Sequence, residues 1–138
     1  MKIALLSDIH ANRQALAACI AHARAQGAGQ FALLGDLVGY GGEPAAVLDQ
    51  AMALARDGAL CVLGNHDALA LSPPPKPSNR GELGAQWTHD RLGQAHHAFL
   101  RALPLTARLG ASALLVHASA DAPAQWRYVE DAGAAERS

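Results

Sequence analysis

Lys2-Ile-Ala-Leu-Leu-Ser-Asp8-Ile-His10-Ala-Asn12 is the stretch on which the fold turns. Its apolar run, Ile3 to Leu6, has the length of a strand and stops abruptly at Ser7, Asp8 and His10. Residues i and i+2 of an extended segment point to the same side, so Asp8 and His10 are expected to project together from the strand's end. A carboxylate and an imidazole so placed form half of a site for a divalent metal. Three later apolar runs end in the same way, in Phe31-Ala-Leu-Leu-Gly35-Asp36, Leu60-Cys-Val-Leu-Gly64-Asn65-His66-Asp67 and Leu114-Leu-Val-His117. A lone Asp-x-His is usually coincidence. Four successive strand ends carrying Asp, His or Asn are hard to ascribe to chance, and α/β sheets bind their ligands at the carboxyl ends of strands.

Beyond this first strand, Asn12 is a good N-cap for a helix to about Gln26, with Leu16, Ile20 and Ala23 as its apolar stripe and Gly27 and Gly29 ending it. Asn12 is read as a cap in preference to a phosphate contact. Phe31 to Leu34 is the second predicted strand, and Gly35 turns the chain so that Asp36 emerges at its tip. After a glycine-rich loop, Glu43-Pro44 starts a second helix, with Val47, Leu48, Ala51, Leu54 and Ala55 on one face. Gly58 stops it, and Ala59 to Leu63 is the third strand. Strand, helix, strand, helix, strand implies βαβ units and parallel strands. Ser72-Pro-Pro-Pro-Lys-Pro-Ser78 reads as a semi-rigid surface loop. Helices over 83–92 and 94–103 should follow, then a hairpin of Leu105–Leu109 and Ser112–Val116 around a two-residue turn, Gly110-Ala111. Trp126 to Val129 is expected as a short strand or helix, and 132–138 as a frayed end.

At 138 residues the chain fits a single domain, 1–138. Apolar residues make up 51 %, enough for a core, but aromatics only 4 %, so alanine fills much of it. Eleven Lys+Arg against twelve Asp+Glu leave a net charge of -1 with no basic block, which removes the electrostatic footprint of a nucleic-acid binder. Asp8 and His10 interrupt the opening apolar run before a secretion signal could form. No run approaches the roughly 20 residues that span a bilayer. The expected location is cytoplasmic, with Cys19 and Cys61 as buried free thiols.

Two divalent ions about 3.5–4 Å apart can clamp a phosphoryl group and generate hydroxide at neutral pH. Such a pair needs a shared anionic ligand to offset the repulsion between the ions. Asp36, alone at a strand tip, fits that place, with Asp8 and His10 on one side and Asn65 and His117 on the other. Asn65 and His66 are adjacent, so their side chains should diverge, leaving His66 to face substrate as general acid or as a cation on phosphate. Asp67 then either orients His66 or caps the following helix. His22, His89, His96 and His97 lie in helical stretches and are read as solvated or half-buried. Trp87 and Trp126 are read as core or rim packing; Tyr40 and Arg13 lie near the site in sequence without an assigned role.

The motifs Asp8-Ile-His10, Gly35-Asp36, Gly64-Asn65-His66-Asp67 and His117 resemble, in order, those of the calcineurin-like metallophosphoesterase superfamily. The stretches 7–12, 35–41, 87–104 and 116–119 look like a small bacterial phosphodiesterase-like branch of it. The resemblance implies an αββα sandwich and hydrolysis of phosphodiesters or phosphomonoesters by a dinuclear metal-activated hydroxide. It places Asp8, His10 and Asp36 on one metal, Asp36, Asn65 and His117 on the other, and His66 with the catalytic histidine. Mn, Fe, Zn, Ni or Mg would serve as the two ions. The family's final Gly-His-x-His, one imidazole for each metal, does not follow His117. The expectation is therefore either a chain truncated at its C-terminal sheet or a diverged member with incomplete sites, with an exposed edge offering a route to homo-oligomers. Its expected partner is a small phosphate ester, with no membrane. The alternative function is a weak or inactive metal- or phosphate-binding member acting as an interaction module.

Overall fold

Strand β1 (Lys2–Leu6), helix α1 (Arg13–Ala25), strand β2 (Ala28–Leu33), helix α2 (Pro44–Arg56) and strand β3 (Leu60–Cys61) follow the alternation that the apolar runs require. In this computed structural model, which describes residues 2–138, the three strands form a parallel sheet in the order β1-β2-β3. Two boundaries differ from the sequence reading. β2 begins at Ala28, so Gly29, expected to end α1, lies inside the strand, and Gly27, at φ 81°, makes the turn. Within β3 only Leu60 and Cys61 pair, with Ala32 and Leu33. Beyond them the Leu63 amide leaves the sheet and donates to the carbonyl of Pro104 at 2.8 Å.

Both faces of β2 are covered, as a central parallel strand demands. Phe31 and Leu33 point into the main core with Leu16 of α1 and Val47, Leu48, Ala51 and Leu54 of α2. Ala32, on the opposite face, packs with Val62 and Leu115. Leu115 comes from an antiparallel hairpin, β4 (Thr106–Leu109) and β5 (Ala113–Val116), whose Leu109 and Ala107 join the same cluster. Helices, parallel sheet and hairpin therefore stack as layers. The hairpin's cluster draws on β2 and β3, and Leu5 of β1 stays 55 % exposed.

Leu109 pairs with Ala113, so the hairpin loop is Gly110 to Ser112, one residue longer than predicted, with Gly110 left-handed at φ 61°. Helix α3 (Asn65–Leu71) follows β3 directly, and α4 (Arg80–Arg91) and α5 (Gln94–Ala102) precede the hairpin. α4 starts three residues earlier than expected because Asn79 caps it, its side chain accepting from the Glu82 amide at 3.0 Å. Residues 126–129 form neither strand nor helix; a 3-10 turn (Pro123–Gln125) ends at Trp126, which is left-handed at φ 55°. The end expected to fray forms α6 (Ala132–Arg137), capped by Asp131. Cys61 is buried, and burial pushes its thiol up to about 11; Cys19, expected to be buried, is exposed. No helix among the described residues is long and apolar enough to cross a membrane.

Candidate metal centre

The loops after β1 and β2 are laced together beyond the end of the sheet. The Asp8 amide donates to Gly35 O, His10 to Asp36 O and Ala11 to Leu37 O, at 3.2, 2.9 and 2.8 Å. This lacing, rather than an extended i, i+2 segment, brings Asp8, His10 and Asp36 together. Asp8, His10, Ala11, Asp36 and Tyr40 all have left-handed backbone, φ between 47° and 58°. Such conformations cost roughly 1–3 kcal/mol each for non-glycine residues and cluster at functional sites.

Glycine makes the next contact possible. A Cβ on Gly64 would collide with the amide and carboxylate of Asp36, and one on Gly35 would meet Gly64 N and His117 Nδ1. The loops after β2 and β3 thus touch at backbone level, and the His66 amide donates to Asp36 Oδ1 at 2.9 Å. The other oxygen, Oδ2, lies 3.8 Å from His10 Nε2 and 3.4 Å from His117 Nε2. Asp8 Oδ1 stands 3.7 Å from His10 Nε2, and Asn65 Oδ1 stands 3.0 Å from His117 Nε2. Ser7, to which the sequence reading gave no role, donates its hydroxyl to Asp8 Oδ2.

These separations suit metal ligands. Two donors each about 2.0–2.1 Å from one ion at a tetrahedral angle stand roughly 3.4 Å apart. Ligand atoms of Asp8, His10 and Asp36 all lie within 4.8 Å of one another. The outer contacts suit ligands too. His117 Nδ1 donates to the carbonyl of Leu34 at 2.7 Å and His10 Nδ1 to that of Val38 at 3.2 Å, which turns each Nε2 toward Asp36. The donor set therefore fits divalent ions.

Charge in the ion-free chain follows the same contacts. Burial pushes the Asp36 carboxyl up, but the His117 side chain, the His66 amide and the nearby imidazoles together hold it below its usual value. His117 rises to about 9, first through its bond to Asp36 and against the effect of burial. His66 is lowered, burial outweighing the attraction of Asp36.

His66 and Asn65 diverge: the His66 ring packs 4.5 Å from Tyr40 and 5.1 Å from His10, centroid to centroid. Asp67 is fully buried, and its Oδ2 accepts from Gly64 N at 3.0 Å and its Oδ1 from Val38 N at 3.1 Å. Of the two roles read for it, capping is the one its bonds serve; it acts on the site by positioning. Burial pushes its carboxyl up to about 7 against the pull of those amides. Asn12 caps α1 by accepting from Ala15 N at 3.0 Å, and Arg13 pairs with Glu43 at 2.9 Å. The remaining histidines stay apart from this centre: His22 is exposed, His96 pairs with Asp49, and His89 and His97 pack together. Trp87 sits at the rim and Trp126 is half-buried, 6.2 Å from the His117 ring.

Comparison with known proteins identifies the family and the fold. The chain is 32 % identical over 133 residues to an uncharacterized protein, MJ0912, of Methanocaldococcus jannaschii, covering 92 % of this chain and 53 % of that one. The crystal structure of a metallophosphoesterase from Sphaerobacter thermophilus superposes with a TM-score of 0.78 at 30 % identity, covering 94 % of this chain and 51 % of that one. Protein PH1004 of Pyrococcus horikoshii OT3, at 23 % identity and a TM-score of 0.66 over 76 % of this chain and 48 % of that one, shares the fold. The chain thus spans about half the length of the relatives it matches. The pattern of the calcineurin-like phosphoesterases matches residues 1–136, and the chain belongs to that family.

Proposed function

We propose that the chain is a metal-dependent phosphoesterase acting on phosphodiester or phosphomonoester bonds through two divalent ions. The observation that carries the reading is the placing of Asp36 Oδ2 between His10 Nε2 and His117 Nε2, at 3.8 and 3.4 Å. Asp8, His10 and Asp36 would hold one ion and Asp36, Asn65 and His117 the other. Each ion would then take three donors from this chain, with the Asp36 carboxylate common to both sets. Bound there, the ions supply an activated water near neutral pH and neutralise charge on the phosphoryl group.

The chain's own side chains do the rest. Asp36 offsets the repulsion between the two cations, and the His66 amide keeps its second oxygen from turning away. Leu34 and Val38 carbonyls fix the tautomer and aim of His117 and His10. His66, outside both donor sets, faces the substrate and gives its proton to the leaving oxygen. Asp67 holds Gly64 and Val38 in place, and with them the turn from which His66 projects.

Hydrolysis of an aryl phosphodiester with added manganese tests the reading. Turnover that disappears with chelator and returns with metal is the expected result. Stoichiometric metal binding without turnover would overturn it in favour of a metal- or phosphate-binding module.

A further inference from the structure

Three of the large apolar side chains that lie exposed meet beside the metal-facing cavity. Tyr40 is 73 % exposed, Leu83 57 % and Trp87 36 %. With Gly41, Gly42 and Gly84 they line a groove of about 370 Å³ between the 40–42 turn and α4. Tyr40, Gly41 and Gly42 also line the cavity of about 550 Å³ that contains Asp8 and His10, so groove and metal centre adjoin.

The groove is open for reasons that packing does not supply. Gly84 stands inside α4, where glycine costs about 0.5–1 kcal/mol relative to alanine. A Cβ there, or on Gly42, would meet nothing within 4 Å, and neither residue has a positive φ. Neither is required by its neighbours or its backbone, and both keep space free between Tyr40 and Trp87. Tyr40 itself is held left-handed at φ 58°, its ring against His66. Arg91 braces the indole from 3.8 Å.

We infer that this groove receives the leaving group of the ester, and that the leaving group carries a planar aromatic system of the nucleobase kind. The inference rests on the phosphoesterase reading above, because it takes His66 as the proton donor to the leaving oxygen. The His66 ring packs 4.5 Å from that of Tyr40, which also lines the groove, so a leaving group at His66 lies beside the groove's wall. Water's oxygen bonds to phosphorus and gives up a proton to solvent, and the bond to the leaving oxygen breaks. His66, entering as the imidazolium, gives that oxygen its proton and is left neutral until solvent reprotonates it. Tyr40, Leu83 and Trp87 determine specificity by stacking, which any base satisfies through its π-face.

The test is calorimetric binding to the manganese-loaded chain of two probes, adenosine 5′-monophosphate and ribose 5-phosphate, which differ by the base. The nucleotide should bind more tightly by roughly 5- to 150-fold, the range of base–aromatic stacking. Trp87→Ala and Gly84→Leu should each bring it down to the level of ribose 5-phosphate, whose own affinity should not move; Trp87→Phe should keep most of the preference. Gly84→Leu favours the helix while filling the groove, so a thermal melt at or above the parent's separates blocked binding from misfolding. Equal affinities for the two probes would overturn the inference, as would equal losses of both in Trp87→Ala. Self-association that depends on Trp87, without nucleotide preference, would overturn it in favour of a contact between copies. The aryl-ester assay is independent: preference without turnover keeps the groove and removes the esterase, and turnover without preference does the reverse.

Discussion

The two halves of the candidate metal centre are built differently. On the β1 side, Asp8 is 58 % exposed and His10 25 %. On the β3 side, His117 is 4 % exposed, and the Asp36 side chain between the halves 3 %. The open half hangs on a left-handed loop held to its neighbour by backbone hydrogen bonds in both directions. The closed half comes from the start of α3 and the end of β5, elements whose own hydrogen bonds set their direction. Preorganised, desolvated donors bind more strongly and exchange more slowly than exposed ones. The candidate centre thus pairs a half open to solvent with a less exposed one.

The largest effect should come from removing what the halves share. Asp36→Asn should strip both ions and lower turnover by more than the roughly 10–100-fold typical of losing an outer partner. Asp8→Asn should lose chiefly the ion of the open half. Elemental analysis after dialysis distinguishes them, and loss of the same single ion in both variants would erase the contrast between the halves. His66 belongs to neither half: His66→Ala should keep its metal while turnover falls by about 10²–10⁴-fold. Metal loss in that variant would mean that Asn65 and His66 have exchanged roles.

A smaller effect separates the closed half by pH. In the ion-free chain His117 is raised from its ordinary 6.5 to about 9. The stability it contributes is therefore complete below pH 6.5 and lost as the pH climbs through 9. At about 1.4 kcal/mol per pKa unit, the ceiling is roughly 3 kcal/mol. Urea melts of chelator-treated protein should record that fall, and His117→Asn should flatten it. With metal bound at Nε2 the fall should vanish, because over this range neither the metal-bound imidazole nor the unfolded one carries a proton. Ion-free stability that rises over this range would contradict the Asp36–His117 pairing. The smallest effect belongs to Asn12, beside the open half: Asn12→Ala should cost about 1 kcal/mol, the usual loss of a cap. A thermal melt measures the loss, and an unchanged metal content separates capping from ligation.

Much of this was legible before any coordinates. Asp8, Asp36, Asn65 and His117 each end an apolar run, and a polar residue at that position in a parallel sheet emerges at the edge where ligands bind. The strand–helix alternation was readable because apolar spacing is local. Asp67 was half legible: it was read as orienting His66 or capping the following helix, but not as lying inside α3 with its second oxygen holding Val38 across the site. Cys19 was misread because a helix stripe shows which side chains can be buried, not which face finds a cover. The ends misread at 126–138 depend on an Asp131 cap and a left-handed Trp126 that apolar periodicity does not report.

Neighbouring residues alone dictate the parallel βαβ order, the chemical identity of the donors and their distribution over four strand ends. Three other facts come from the packing of layers: Asp36 lies between the two imidazoles, one half of the centre is less exposed than the other, and Tyr40 and Trp87 line a common groove. They depend on the lacing of loops some 28 residues apart, as in His10 Nδ1 to Val38 O, and on a hairpin 83 residues beyond Leu34. Distances between such partners are set by how sheet, helices and hairpin stack, and no local pattern in the chain encodes them.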